Sequence, residues 1–306
     1  LFILSRYIKE VKPDIVQTWL HHADLAGLIA CKLAGHKKLF WSVHCSYLRP
    51  PYFKKRNIIL VKLLGKLSKI PKVISFNSSA GLKSHIEMGY IPKQMKMIPC
   101  GFDSKIFSPN SKKRQNIRDY YGISDSDFLV GFVGRHHVVK DIKTFLLAVH
   151  ELSKKHNNIQ TIMVGQGFDE FNQEIISLKK DLQLKNIKLL GRRDDVPALM
   201  NAFDLFLITS VSEGFPNVLG EAMLTGLPCL VTDVGDCKEV LANNKYVFNV
   251  GDYKGMANKA SEIINLTELQ KKELSLYNQK IIKKNYEISI VTKKYQEIYK
   301  TLIQKT

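Results

Sequence analysis

Two acidic residues, Glu213 and Glu221, bracket the run Gly214-Phe215-Pro216-Asn217-Val218-Leu219-Gly220. An apolar stretch, residues 205–209, leads into this run, and Glu221-Ala222-Met223-Leu224 reads as the helix that follows. Gly214 and Pro216 favour a tight turn. The amides of Asn217, Val218 and Leu219 then fall at a helix N-terminus, where N–H groups lack intrahelical acceptors and attract anions such as a diphosphate. Carboxylates repel phosphate, so Glu213 and Glu221 suit the hydroxyls of a sugar and a ribose. A purely structural reading competes: Glu213 as a helix-entry residue favoured by the dipole, Glu221 as a solvated side chain.

Two further strand ends carry polar clusters. Gly134 and Arg135, then Lys140 and Asp141, follow the apolar residues 128–133. A guanidinium fork and an ammonium point charge suit a diphosphate, although a surface loop of a basic protein accounts for the same residues. Gly191-Arg192-Arg193-Asp194-Asp195 follows residues 188–190. Its backbone could meet a nucleobase, or an Asp there could cap the next helix.

Such loops need a frame, and the chain supplies a repeating one. Short β-like runs at residues 14–19, 38–43, 72–76 and 96–98 alternate with helical stretches at 23–34, 53–69 and 80–88. Residues 102–127 are polar and read as a linker with a short helix. A second series has strands at 128–133, 160–164, 188–190, 205–209, 229–232 and 246–248, and the chain is helical and Lys-rich after Gly251. The pattern predicts an α/β chain of two Rossmann-like doubly wound parallel sheets, facing across a cleft, with ligands at the carboxyl ends of the strands. The expected division is 1–108, 109–285, and a C-terminal helix, 286–306, crossing back to the first domain. The chain opens on Leu1 within an amphipathic helical pattern (Phe2, Leu4, Ile8, Val11), so an N-terminal piece is expected to precede it.

Composition narrows the partners. No apolar run approaches the roughly 20 residues of a membrane span. Five scattered cysteines without a Cys-x-x-Cys pair predict a reducing cytoplasm, no disulfides and no structural zinc. The formal charge of +18 favours polyanions: nucleic acid, anionic lipid or phosphorylated small molecules. No common nucleic-acid motif is present, which disfavours the first. Residues 53–69 put Leu60, Leu63, Leu64 and Leu67 on one helical face and Lys55, Lys62, Lys66 and Lys69 on another. That helix either lies on anionic lipid or packs on its own sheet.

The segment from Glu213 to Glu221 resembles the Glu-x7-Glu motif of retaining glycosyltransferases of family 4. Other pieces match in order across nearly the whole chain. Pro13-Asp14-Ile15-Val16-Gln17-Thr18 resembles the family's "kPDvvht" strand, and Ile98-Pro99-Cys100-Gly101-Phe102-Asp103 its "ipNGvD" signature with Cys for Asn. Gly134-Arg135 with Lys140 is similar to "GR…K-G", with Asp141 where Gly is usual, and Val164-Gly165-Gln166-Gly167 to "vGdGp". Leu190-Gly191-Arg192 and Glu221-Ala222-Met223 through Gly226-Leu227-Pro228 complete the match. Thr18-Trp19 and His22-Ala23-Asp24-Leu25 bring it nearest to bacterial enzymes of surface-polysaccharide assembly.

The resemblance implies the GT-B fold and a nucleotide-diphosphate-sugar donor, with no metal and no other cofactor. No Asp-x-Asp ligand set stands in the diphosphate role. Arg135 and Lys140 would neutralise the diphosphate, and the amides of Asn217, Val218 and Leu219 would add to that. Glu213 would touch the transferred sugar and Glu221 the ribose. His44, in Trp41-Ser42-Val43-His44, would face the sugar, although a structural histidine is the alternative. Gly134, Arg192, Gly214, Phe215 and Pro216 would line the donor site. The acceptor would be a glycan or lipid-linked sugar, handled in the cytoplasm or on the inner face of an anionic membrane. A GT-B relative that is not a transferase, such as a nucleotide-sugar epimerase, or a basic binding protein without catalysis, are the rival readings.

Overall fold

The computed structural model describes residues 1–46 and 53–304. The chain forms two compact units. The first comprises residues 1–101, 213–215 and 288–306; the second, residues 102–212 and 216–287.

In the first unit, α1 (Phe2–Val11), β1 (Val16–Trp19), α2 (His21–Ala34), β2 (Leu39–Val43), α3 (Lys55–Leu67), β3 (Val73–Phe76), α4 (Ser79–Glu87) and β4 (Met95–Met97) alternate. All four strands are parallel, in the order β1-β2-β3-β4. Strands β2 and β3 are buried along their whole length. Helices on both faces demand this, so the strands read as continuous apolar runs rather than as alternation. Trp41, Val43, Ile74 and Phe76 pack with Leu28, Val61 and Leu64 in the main core. The C-terminal helix α13 (Ile288–Gln304) closes the other face: Val291, Ile298 and Leu302 pack on Phe40, Val73 and Ile98.

The amphipathic pattern at Phe2, Leu4, Ile8 and Val11 forms helix α1 as expected, with Ile8 alone of the four buried. On α3, Leu64 is buried and Leu60 and Leu67 pack against the core, leaving Leu63 exposed. Three of the four leucines offered to lipid therefore belong to the helix's seat on its own sheet.

The second unit begins with α5 (Ser111–Tyr121) and continues β5 (Phe128–Val133), α6 (Ile142–Ser153), β6 (Ile159–Val164), α7 (Gln173–Asp181), β7 (Ile187–Leu189), α8 (Val196–Ala202), β8 (Leu205–Ile208), α9 (Asn217–Leu224), β9 (Cys229–Thr232), α10 (Cys237–Leu241), β10 (Val247–Phe248), α11 (Tyr253–Ile264) and α12 (Glu268–Asn285). Its six parallel strands run in the order β10-β9-β8-β5-β6-β7. The order turns around β5 and β8, the arrangement of a doubly wound sheet.

The region expected as a linker is fastened to this unit. Arg118 on α5 is fully buried and donates to Asp204 at 3.1 Å and to the carbonyls of Ala202, Ser124 and Asp127 at 3.0, 2.6 and 2.7 Å. Arg114 meets the other oxygen of Asp204 at 2.6 Å. A buried guanidinium is tolerated only when paired and hydrogen-bonded in this way. The chain leaves the first unit after Gly101, seven residues before the expected boundary, belongs to it again at residues 213–215, and returns finally after Glu287. Phe102 N–H donates to the Tyr286 carbonyl at 2.8 Å, within the second unit.

Candidate active site

In the second unit, four loops leave the same edge of the sheet because β5, β6, β7 and β8 are parallel neighbours. Hydrogen bonds lock them together. Gly134 N–H donates to Val164 at 2.9 Å, His136 N–H to Gln166 at 2.8 Å and Gly165 N–H to Gly191 at 2.7 Å. Val211 N–H donates to Val139 at 2.8 Å, and the Thr209 hydroxyl donates to the carbonyls of Lys140 and Asp141 at 3.0 and 3.1 Å. The loop bearing Arg135 and Lys140 is thereby bonded to the one that leads into α9.

Gly165 is the keystone of this edge. Its φ is +136°, and a Cβ there would stand 1.8 Å from the Gly134 carbonyl oxygen. Only glycine permits both the backbone conformation and the contact. The sequence shows the Gly165-Gln166-Gly167 doublet at a strand end, which was legible as a motif; its task of seating one loop on another was not.

The two cations differ. Arg135 is exposed and has no ion-pair partner among the described residues. Lys140 is half-buried, and its Cε lies 3.8 Å from where a Cβ of Gly134 would be, so its chain runs over that glycine. The residue after it, Asp141, stands where the family has Gly. It holds φ +46° and ψ 62°, the left-handed conformation that explains the glycine elsewhere. Here Asp compensates by capping α6: its carboxylate accepts from Thr144 N–H at 3.2 Å and from the Thr144 hydroxyl at 2.7 Å.

Helix α9 begins at Asn217 after Pro216, and its first turn has no acidic residue. Glu213 therefore is not a first-turn residue interacting with the dipole. The Leu219 N–H already donates to the Pro216 carbonyl at 3.0 Å, so the outward amides of this helix end are those of Asn217 and Val218, not Leu219. Leu219 itself is buried, Val218 half-buried and Asn217 exposed. Glu221 sits one turn further on. Its carboxyl has no hydrogen-bond or ion-pair partner among the described residues, and burial pushes it up to about 7. It is half-buried, neither the fully solvated side chain of the structural reading nor a residue shut away from water.

Beyond β7, Arg192 is exposed and unpaired among the described residues, whereas Arg193 is held by Asp195 at 2.9 and 2.8 Å. Asp195 stands at the N-cap of α8 without a side-chain capping bond, so neither Asp194 nor Asp195 is the expected cap. Among the described residues no group of three or more His, Cys, Asp or Glu side chains is placed to hold a metal ion.

Three members of the Glu-x7-Glu run belong to the first unit: Glu213, Gly214 and Phe215. Ser46 donates its hydroxyl to the Glu213 carbonyl at 2.7 Å, and a Cβ on Gly214 would meet that hydroxyl oxygen at 3.0 Å. Gly214 is thus needed for close approach as well as for the turn. Two residues before Ser46, His44 follows β2 directly; it is half-buried, and burial lowers its pKa, favouring the neutral imidazole.

Two family models match adjoining stretches: "Glycosyltransferase Family 4" over residues 1–105 and "Glycosyl transferases group 1" over residues 127–265. The chain is 28% identical, over 76% of its length, to a UDP-Gal:alpha-D-GlcNAc-diphosphoundecaprenol alpha-1,3-galactosyltransferase of Escherichia coli, and the match spans only 61% of that protein. It is 26% identical to a Campylobacter jejuni alpha-1,4-N-acetyl-D-galactosaminyltransferase of an undecaprenol-linked glycan, over 97% of this chain and 77% of the relative. Anabaena HepE in complex with UDP-glucose superposes with a TM-score of 0.86 at 24% identity, covering 98% of this chain and 81% of that one. The two parallel sheets are those of the GT-B fold. In its two matched segments and its fold, the chain is similar to the family 4-type glycosyltransferases.

Proposed function

We propose that the chain is the greater part of a retaining glycosyltransferase that moves a sugar from a nucleotide-diphosphate donor to a lipid-linked or polysaccharide acceptor in cell-surface glycan assembly. One observation carries this: the loop with Arg135 and Lys140 is hydrogen-bonded to the loop that enters α9, whose second turn carries a half-buried Glu221 with no protein partner among the described residues. Cations, outward amides and a hydroxyl acceptor thus share one edge of the second sheet. That set fits a diphosphate joined to a ribose better than any polyanion lacking hydroxyls.

In this reading Arg135, Lys140 and the Asn217 and Val218 amides stabilise the departing diphosphate, the largest charge developed in the transition state. Glu221 accepts from the ribose. Glu213 and a neutral His44 accept from or donate to hydroxyls of the transferred sugar, and Gly134, Gly214, Phe215, Pro216, Leu219 and Arg192 shape the donor site. Positioning the acceptor hydroxyl beside the leaving oxygen gives attack on the face of departure and retention. No metal is assigned a role.

The proposed setting is the cytoplasm, with peripheral contact to an anionic membrane; no helix among the described residues is long and apolar enough to cross one. Thermal-shift measurements with UDP-, GDP- and ADP-sugars test donor binding, because a ligand of the native state raises the melting temperature. A shift with one base and none with any after Arg135→Ala and Lys140→Ala is expected. No shift with any donor would overturn the reading. NMR of the product must then show the donor's anomeric configuration; inversion would refute retention.

A further inference from the structure

The expected lipid contact through the leucines of α3 is largely used up by packing, yet the charge still asks for a partner. It is unevenly placed. Residues of the first unit hold 21 Lys and Arg against 6 Asp and Glu, a net +15, whereas the second holds 25 against 22, a net +3.

Part of that excess converges at the amino edge of the first sheet. Lys38 and Lys72 stand one residue before β2 and β3, and Lys93 two residues before β4. Because these strands are adjacent and parallel, the three lysines surround one pocket of about 260 Å³, completed by Gln94, Thr301 and Leu302. Among the described residues no carboxylate lines it. The Lys38 ammonium is steered across the end of α13 by the Ile303 carbonyl at 3.2 Å.

Three residues of this pocket also line a groove of about 520 Å³ between β4 and α13. Its apolar side chains include Met95, Met97, Ile98 and Ile298; Lys96 and Lys294 flank it, against Glu297 as the one acid among the described lining residues. The loops entering β3 and β4 repeat a tripeptide, Ile70-Pro71-Lys72 and Ile91-Pro92-Lys93. Both isoleucines project, 51% and 62% exposed, beside the lysines of the pocket. A single exposed isoleucine is ordinary, but two at matching positions beside a cation cluster form an amphiphilic rim.

We propose that the amino edge of the first sheet docks on anionic lipid: Lys38, Lys72 and Lys93 hold a headgroup phosphate, Ile70 and Ile91 enter the interface, and the groove along β4 takes part of an acyl chain. Charge complementarity selects the phosphate. The adjoining apolar groove selects a lipid over a free anion, which would have no use for it. Strand β2 separates Lys38 from His44 by roughly 20 Å at about 3.3 Å per residue, so docking leaves that carboxyl-edge histidine uncovered. The inference deepens the proposed peripheral setting and rests on it for purpose only, since its test needs no turnover.

The full chain is sedimented with phosphatidylglycerol vesicles and with phosphatidylcholine vesicles at 150 mM salt. Binding to the first alone is expected. Each lysine near an anionic leaflet contributes about a fivefold factor, so Lys38→Gln, Lys72→Gln and Lys93→Gln together should lower partitioning about a hundredfold. Ile70→Ser with Ile91→Ser should lower it severalfold with charge unchanged. Three Lys→Gln changes in the second unit, at Lys112, Lys185 and Lys245, should leave it intact. An equal loss in both lysine sets would reduce the effect to net charge and overturn the proposal. Protection from thermal unfolding by inorganic phosphate with no binding to either vesicle would also overturn it, leaving a free-anion site only. UDP-sugar thermal shifts measured on the same variants keep the two proposals separate: vesicle binding lost with donor binding retained speaks to the docking edge alone.

Discussion

Replacing Glu221 by Gln should stabilise the free protein while weakening its hold on the donor. The folded carboxyl sits near 7, against an ordinary value of 4.5, because burial disfavours its charge. A carboxyl raised by folding contributes most below its unfolded pKa and loses that contribution as pH climbs through the folded value. Between pH 4.5 and 7 the unfolded chain releases a proton that the folded chain keeps. At 1.36 kcal/mol for each pKa unit, the folded state is disfavoured at pH 8 by about 3 kcal/mol through this one group. Glutamine, never ionised, escapes it. Urea unfolding should therefore show Glu221→Gln more stable than the parent by roughly 2–4 kcal/mol at pH 8 and by less than about 1 kcal/mol at pH 5. Donor binding should move oppositely. A hydrogen bond to a charged acceptor contributes about 1.5–3 kcal/mol, so the variant should bind the donor about ten- to a hundredfold more weakly, and parental affinity should rise with pH through 7. Equal stability of the two proteins at both pH values would show that Glu221 is solvated and would refute the reasoning.

Other outcomes follow from the same geometry. Arg135→Ala removes an exposed, unpaired guanidinium, so stability should change by less than about 0.5 kcal/mol while calorimetric donor affinity falls tenfold or more. Gly165→Ala drives a Cβ into the Gly134 carbonyl at a φ of +136°; beyond a strain of about 1–3 kcal/mol the loops must part, and urea unfolding should show a larger loss together with lost donor binding. Asp141→Ala keeps the left-handed backbone but loses the α6 cap, for a cost of about 1 kcal/mol in the same unfolding assay. In the first unit the buried His21 and His85 share a bond between their Nε2 atoms at 2.8 Å, and His85 Nδ1 faces the Gly81 carbonyl at 2.7 Å. The proton on His85 must then be on Nδ1, with His21 the donor of the shared bond. Burial holds both near 4, so their contribution to stability is complete above 6.5 and is lost as pH falls toward 4. Nitrogen-15 NMR at pH 6 should find both rings neutral; a charged imidazole there would contradict the pairing.

Much of the fold could be read from residue order alone. Apolar runs of four to six residues, each ending in a polar loop and followed by a helical stretch, specify parallel strands because both faces must be covered, and the strands appear within about two residues of their expected places. The run from Glu213 to Glu221 was legible for the same reason: a turn and a helix entry depend on local backbone chemistry that neighbours in sequence determine. What sequence could not supply was which loops meet. Strand order brings the β5 and β8 loops together across 70 residues, seats Gly165 on Gly134, and turns a polar stretch around Arg118 from a linker into a buried anchor. Burial was equally hidden. Amphipathic spacing marks two faces of α3 but cannot say that the leucines meet their own sheet, nor that Glu221 is half-buried, nor that Lys38, Lys72 and Lys93 share a pocket. Those facts depend on atoms far along the chain, and only packing in three dimensions decides them.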